Sequence, residues 1–318
     1  VTRLRHTLEA LALGAGIAVS RALGPVAASN LGGRLLRLAG PWLPASRVAD
    51  ENLRAVFPRL SRAERSRIIR GVWENLGRTA AELPHLEALR RSDEGPGWEL
   101  QGGETLRALR DAGGPAIFFS AHIGNWELIG PAIAALGIPM AGFYRAASNP
   151  QADKRIQEMR RAGRADVVPM FPKGAAGARA ALAHLQGGGY LGMMMDQKMN
   201  DGIPTPFFGR DAMTAPALAH LALRFSCAVV PVHVVRLGPA RFRVVCEAPL
   251  APPIAGDRAV AVREMILDVN RTLENWIRAA PESWLWLHRR WPRDDETPKL
   301  RFAAGADSMI DVEGAGRR

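Results

Sequence analysis

Residues 118–130 read FFSAHIGNWELIG. The stretch changes character midway. An apolar, β-prone run over 118–120 gives way to a helix-like pattern that starts near Trp126. Between the two stand His122 and Glu127, five positions apart. In open sheets built of alternating strands and helices, ligands bind beyond the carboxyl ends of the strands. This junction therefore sets an imidazole and a carboxylate at the rim of such a sheet.

Outward from the junction, the pattern repeats. β-prone runs fall at 115–120, 139–144, 166–170, 190–195, 228–236 and 241–247, with helical patterns at 126–136, 150–161, 175–186 and 214–225. That alternation predicts an α/β fold, a mainly parallel sheet flanked by helices. The last two runs are close enough in sequence for a hairpin, so the sheet is expected to be mixed. Upstream, 46–89 has helical spacing and arginine-rich polar faces, and 92–97 carries the Gly and Pro of a hinge.

Composition fits a globular chain: of 318 residues, 47% are hydrophobic and 23% charged, which excludes a disordered or collagen-like protein. The net charge of +11 and pI near 10.9 call for an anionic partner, whether nucleic acid, lipid headgroups or an acidic protein. Two cysteines, Cys227 and Cys246, lie in apolar strand-like runs without metal-ligand spacing and read as buried thiols in a reducing compartment.

Residues 8–38 are nearly all apolar or small. Their longest uncharged runs, 10–20 and 22–33, fall short of the roughly 18–20 residues of a clean spanning helix. Two readings stand: a membrane-associated helix, able to span only if Arg21 snorkels, or a helical hairpin packed on the main domain. The predicted organisation is a membrane-associating segment at 1–45, an α/β domain at 46–300 and a frayed tail at 301–318.

A hydroxyl that attacks an acyl carbon needs a base, and histidine's ordinary pKa suits it to take that proton at neutral pH. A carboxylate on one ring nitrogen would set the tautomer and stabilise the imidazolium. Glu127 is expected in that role, from a first helical turn capped by Asn125, with Pro131 either kinking the helix or starting it afresh. No G-x-S-x-G nucleophile motif is present, so direct transfer is more economical than a covalent intermediate. The competing reading has His122 capping a turn and Glu127 paired with a surface arginine.

The run AHIGNWE resembles the H-x4-D/E motif of lysophospholipid-type acyltransferases, and its H-x-G-N-W-E form is similar to the late acyltransferases of lipid A biosynthesis. ENLRAVFP at 51–58, FYRAASNP at 143–150, MMDQ at 194–197 with PFFGRDAMT at 206–214, and WLWLHRRW at 284–291 agree in order. The resemblance spans about 10–293. It implies an enzyme at the cytoplasmic face of the inner membrane that moves a fatty acyl chain from acyl carrier protein to a lipid A precursor, with neither metal nor organic cofactor. His122 would be the base and Glu127 its partner. The family's essential arginine matches Arg160, with Arg161 the neighbouring register, and Asp196 occupies the D-Q position. FPKG at 171–174 resembles the F-P-E-G block of glycerolipid acyltransferases but has Lys173 in place of the acid.

Arg145, Arg160, Asp196 and Asn125 form the candidate substrate-binding set, and guanidinium forks match phosphate geometry. Arg164 reads as a solvated face. The aromatic and cationic cluster at 284–293 fits either an interfacial belt or a core anchor; base stacking would use the same chemistry, but no nucleic-acid motif accompanies it. Met193, Met194 and Met195 read as a buried strand, and His184, His220 and His233 as structural. Transfer to another lipid or glycolipid hydroxyl, and a catalytically silent basic membrane-binding protein, are the alternative functions.

Overall fold

The computed structural model describes residues 2–144, 146–163, 169–172, 174–254 and 256–292. Helix α1 (Thr2–Ala39) is kinked where Gly24 takes φ 74° and ψ 167°, directly before Pro25. Proline removes an N–H and crowds the preceding turn, and only glycine enters that backbone region without strain. Helix α2 (Ala45–Val56) follows, then α3 (Arg62–Glu82), opened by a capping box between Ser61 and Glu64. The helical region expected at 46–89 is thus broken around Pro58.

One face of α1 lies along α3. Gly32 and Gly77 meet so closely that a Cβ on either would run into the other's carbonyl oxygen, which is why both positions are bare. The opposite face is uncovered: Leu8, Leu11, Leu35, Leu38 and Trp42 are all exposed, Trp42 by 85%. The segment packs on the domain, as the second reading expects, but as one kinked helix rather than a hairpin, and it leaves an apolar face uncovered. The stretch Leu4–Trp42 is long and apolar enough to cross a membrane.

The remaining elements are β1 (Gly97–Gln101), α4 (Gly103–Ala112), β2 (Ala116–Ser120), α5 (Ile129–Ala134), β3 (Met140–Tyr144), α6 (Pro150–Ala162), β4 (Met170–Pro172), α7 (Ala175–Gln186), β5 (Tyr190–Met194), β6 (Ile203–Phe207), β7 (Arg210–Thr214), α8 (Ala217–Phe225), β8 (Ala228–Gly238), β9 (Arg241–Cys246) and α9 (Arg258–Ala279). Among the described residues they build a sheet ordered β1-β9-β8-β2-β5-β3-β4. Every pairing is parallel except β8 with β9, the expected hairpin.

Strand β2 is buried throughout, with Ile117 and Phe119 in one core and Ala116 and Phe118 in the other. A strand covered on both faces reads as a continuous apolar run. The first core includes residues of α2, α3, α7, α8 and α9; the second is closed by α4 and α5. Pro131 falls in the first turn of α5, after a separate 3-10 turn at Trp126–Leu128, so the helix begins afresh rather than kinking.

A separate hairpin, β6 and β7, turns on Phe208 and Gly209 with φ of 55° and 72°. A positive φ is costly for phenylalanine. Its ring against Phe57 and Trp291, and its N–H donated to Glu274 at 2.6 Å, hold it there. The cluster at 284–291 is a core anchor: Trp284, Trp286 and Trp291 are all buried. Asn52 donates to the carbonyls of both Trp286 and His288, which joins the ENLRAVFP and WLWLHRRW stretches.

Candidate active site

Strand β2 ends at Ser120, and β5 runs parallel beside it with Ser120 opposite Met194. Two residues beyond each strand end stand His122 and Asp196. The register alone thus sets imidazole against carboxylate. The loop between is pinned from both sides. The His122 carbonyl accepts from the Leu285 N–H at 3.0 Å, and the Gly124 N–H donates to Ser283 at 3.0 Å. Asn75 and Thr79 of α3 both donate to the Gly124 carbonyl. Gly124 has φ 58° and lies against the Val234 carbonyl, where a side chain would not fit.

Nδ1 of His122 is 2.9 and 3.1 Å from the two oxygens of Asp196, which also accepts the His122 backbone N–H at 3.0 Å and the Trp284 indole N–H at 2.8 Å. Nε2 has no protein partner among the described residues. Burial alone would raise the Asp196 pKa, but the imidazole charge and these donors hold it at about 2. Burial would lower the His122 pKa; Asp196 foremost, with Glu127 adding to it, raises it above the ordinary value despite the opposing charge of Arg160. The edge of the His122 ring meets Trp126 at 5.2 Å.

The expected hydrogen bond from the imidazole to Glu127 is not formed. Glu127, in the 3-10 turn, is gripped by Arg160 from the last turn of α6, with Nε at 2.8 Å and Nη2 at 2.6 Å. A bidentate fork of this kind fixes a carboxylate in plane and position. The competing reading of the sequence, Glu127 on an arginine, is the geometry seen, though the arginine is half-buried beside the site rather than on a remote surface. Arg161 points to solvent. Arg160 is therefore the register that reaches the site.

Asn125 does not cap the following turn. Its side chain is fully buried and donates to Glu82 at 2.8 Å, so it braces the loop from behind. Glu82 itself is completely buried and paired with Arg236 of β8. Asp196 is likewise buried behind the imidazole, a partner of His122 rather than an exposed contact. Arg145, Lys173 and Arg164 lie outside the described residues. The methionine run is divided: Met195 is buried and Met194, at the strand end, is exposed. His184 bonds the Tyr190 carbonyl, and His233 lies tilted against Trp276, its pKa lowered by burial to about 4. No cluster of His, Cys, Asp and Glu among the described residues is arranged to hold a metal ion.

A groove of about 1010 Å³ opens beyond Ile123, between α3, β8 and the end of α9. It reaches Ile123 and Ser283 but not His122, Glu127 or Asp196.

The sheet and its flanking helices define an α/β protein with an imidazole and two carboxylates gathered at the sheet rim. The chain belongs to the bacterial lipid A biosynthesis acyltransferase family, which it matches over residues 1–293. Among solved structures it is similar to the 1-acyl-sn-glycerophosphate (LPA) acyltransferase PlsC from Thermotoga maritima, at 12% identity and a TM-score of 0.37, covering 78% of this chain and 97% of that one. No curated protein matches the chain.

Proposed function

We propose that this protein transfers a fatty acyl group from an acyl carrier protein thioester to a hydroxyl of a lipid A precursor, at the cytoplasmic face of the inner membrane. The observation that carries the reading is the His122 imidazole at the sheet rim, tied through Nδ1 to Asp196, with Nε2 unpartnered among the described residues. Nε2 takes the acceptor hydroxyl proton as the oxygen attacks the thioester carbonyl. The C–S bond then breaks, and the imidazolium returns the proton to the departing thiolate. Asp196 holds the tautomer. Glu127, fixed by Arg160, adds negative charge that stabilises the imidazolium without touching it. In this reading the dyad of His122 and Glu127 works through space, with Asp196 in direct contact. Arg160 and Arg145 supply positive charge toward a phosphorylated acceptor.

The test is conversion of a lipid A precursor by the purified protein with acyl carrier protein charged with fatty acid, followed by mass spectrometry. A product heavier by one acyl group, formed by the wild type and not by His122→Ala, is expected. Acylation of a different lipid in the same mixture would reassign the acceptor.

Family membership and the uncovered face of α1 both suggest association with a membrane. Replacing Leu8, Leu11 and Leu35 together by glutamate should move most of the protein from the membrane to the soluble fraction. Each leucine removed forfeits about 1.5–3 kcal/mol of apolar burial in lipid. All three side chains point away from α3, so the fold should survive, as circular dichroism would show. Unchanged fractionation would exclude this face as the anchor.

A further inference from the structure

We propose that Trp284 is a positioning residue: its indole N–H holds the Asp196 carboxylate in the orientation that sets the acidity and tautomer of His122. The inference rests on reading His122 as the general base. Besides the His122 ring at 3.1 Å, Oδ2 of Asp196 accepts from the His122 backbone N–H at 3.0 Å and from the Trp284 indole at 2.8 Å. Trp284 and Asp196 are 2% and 4% exposed, so water does not compete for the bond.

The same segment also holds the other member of the pair. Trp284 forms an antiparallel bridge with Ile123, and the next residue, Leu285, donates its N–H to the His122 carbonyl. One short piece of backbone and side chain thus fixes imidazole and carboxylate relative to each other. The indole is in turn fixed by Trp286, Phe207 and Trp291, with centroids at 4.6, 6.0 and 6.3 Å.

The other charges around the pair act differently. Glu127 and Arg160 act on His122 through space, and Arg290 is the buried cation whose charge reaches Asp196. Arg290 donates to the Met213 carbonyl and the Thr214 hydroxyl rather than to Asp196. Among the described residues, the indole is the one side-chain donor to this carboxylate besides His122. A buried carboxylate that loses a donor leans harder on those that remain, so the imidazolium becomes harder to deprotonate.

Trp284→Phe keeps an aromatic ring in the core and removes the donor. Histidine NMR titration of the full-length protein in detergent micelles should show the His122 pKa moved upward by about half a pH unit. The acid limb of the rate profile should move with it, and kcat at neutral pH should fall about tenfold with KM within about twofold. In an Asp196→Asn background the same substitution should change kcat by less than about twofold, because the path runs through Asp196. An unchanged titration overturns the inference, as does an undiminished effect in the Asp196→Asn background, which would mark a packing role. Should Trp284→Phe fail to fold, benzothienylalanine at 284 retains the bicyclic shape without the N–H, and the same outcomes decide. If no lipid is acylated by the wild type, the acyltransferase reading fails separately, and the titration still decides the role of Trp284.

Discussion

His122→Ala is expected to lower kcat/KM by about 10³- to 10⁴-fold while leaving the fold intact, the range for a general base held by a buried carboxylate. Asp196→Asn should come within about tenfold of that loss. An amide retains the shape but loses the charge that holds the proton on Nδ1. The double variant should be little worse than either single, since base and orienting carboxylate act as a unit. Glu127→Gln separates the two carboxylates. If Glu127 acts through space, as its bidentate bond to Arg160 indicates, its loss should cost less than that of Asp196.

The pH dependence differs in sign. His122 must be neutral to act, and its raised pKa places the acid limb of the profile above the ordinary imidazole value. Removing the Glu127 charge lowers the His122 pKa, so Glu127→Gln should shift that limb to lower pH. Arg160→Ala leaves the Glu127 charge in place but frees its position, and Arg160→Lys keeps the charge and loses the fork. Activity should therefore fall in the order wild type, Arg160→Lys, Arg160→Ala. Steady-state kinetics across pH would check all of these. Equal losses for Glu127→Gln and Asp196→Asn would restore Glu127 as the direct partner.

The contrast between Glu127 and Asp196 shows how far the site could be read from sequence. His122 was legible because a strand end, a loop and a helix start leave local signatures, and each lies within a few residues of it. Asp196 was reached only through its motif. Its bond to His122 spans 74 positions and depends on the register of β2 against β5, which no local pattern encodes. Trp284 is 88 positions from Asp196 and was visible only as part of an aromatic cluster whose side chains serve an interface or a core equally well. The buried strands and helices α6, α7 and α8 announced themselves by runs and spacing. Strand β1 is obscured by the Gly and Pro before it and β6 by its own Pro204 and Pro206, while α9 is amphipathic but follows the sheet with no strand after it to complete the alternation. Helix α1 packs through small residues such as Ala28, Ser29 and Gly32 and leaves most of its leucines uncovered, the reverse of the usual apolar-inside pattern, so sequence alone could not divide the faces.

The second large effect concerns a carboxylate with no place in the chemistry. Glu82 is completely buried at the end of α3 and accepts from Ser29 of α1 at 2.6 Å, from Asn125 of the His122 loop at 2.8 Å and from the Ala240 N–H at 3.2 Å. Arg236 of β8 pairs with it at 2.5 and 3.0 Å, steadied by Asn75, Thr79 and the face of Phe242. Glu82→Ala leaves that guanidinium buried without its anion, a change that typically costs about 3–5 kcal/mol, out of a total stability of about 5–15 kcal/mol. Glu82→Leu combined with Arg236→Met should be less destabilised than Glu82→Ala, because it removes both charges rather than stranding one. Chemical denaturation of the three proteins decides it: a single-variant loss below about 1 kcal/mol would mean that water reaches Arg236. The position also predicts a functional consequence. Asn125 stands between His122 and Glu127, so a Glu82→Ala protein that still folds should lose kcat well beyond its unfolded fraction. One carboxylate joins the helix with the uncovered apolar face, α3, the sheet and the His122 loop, which makes the placement of α1 and the geometry of the base parts of a single buried network.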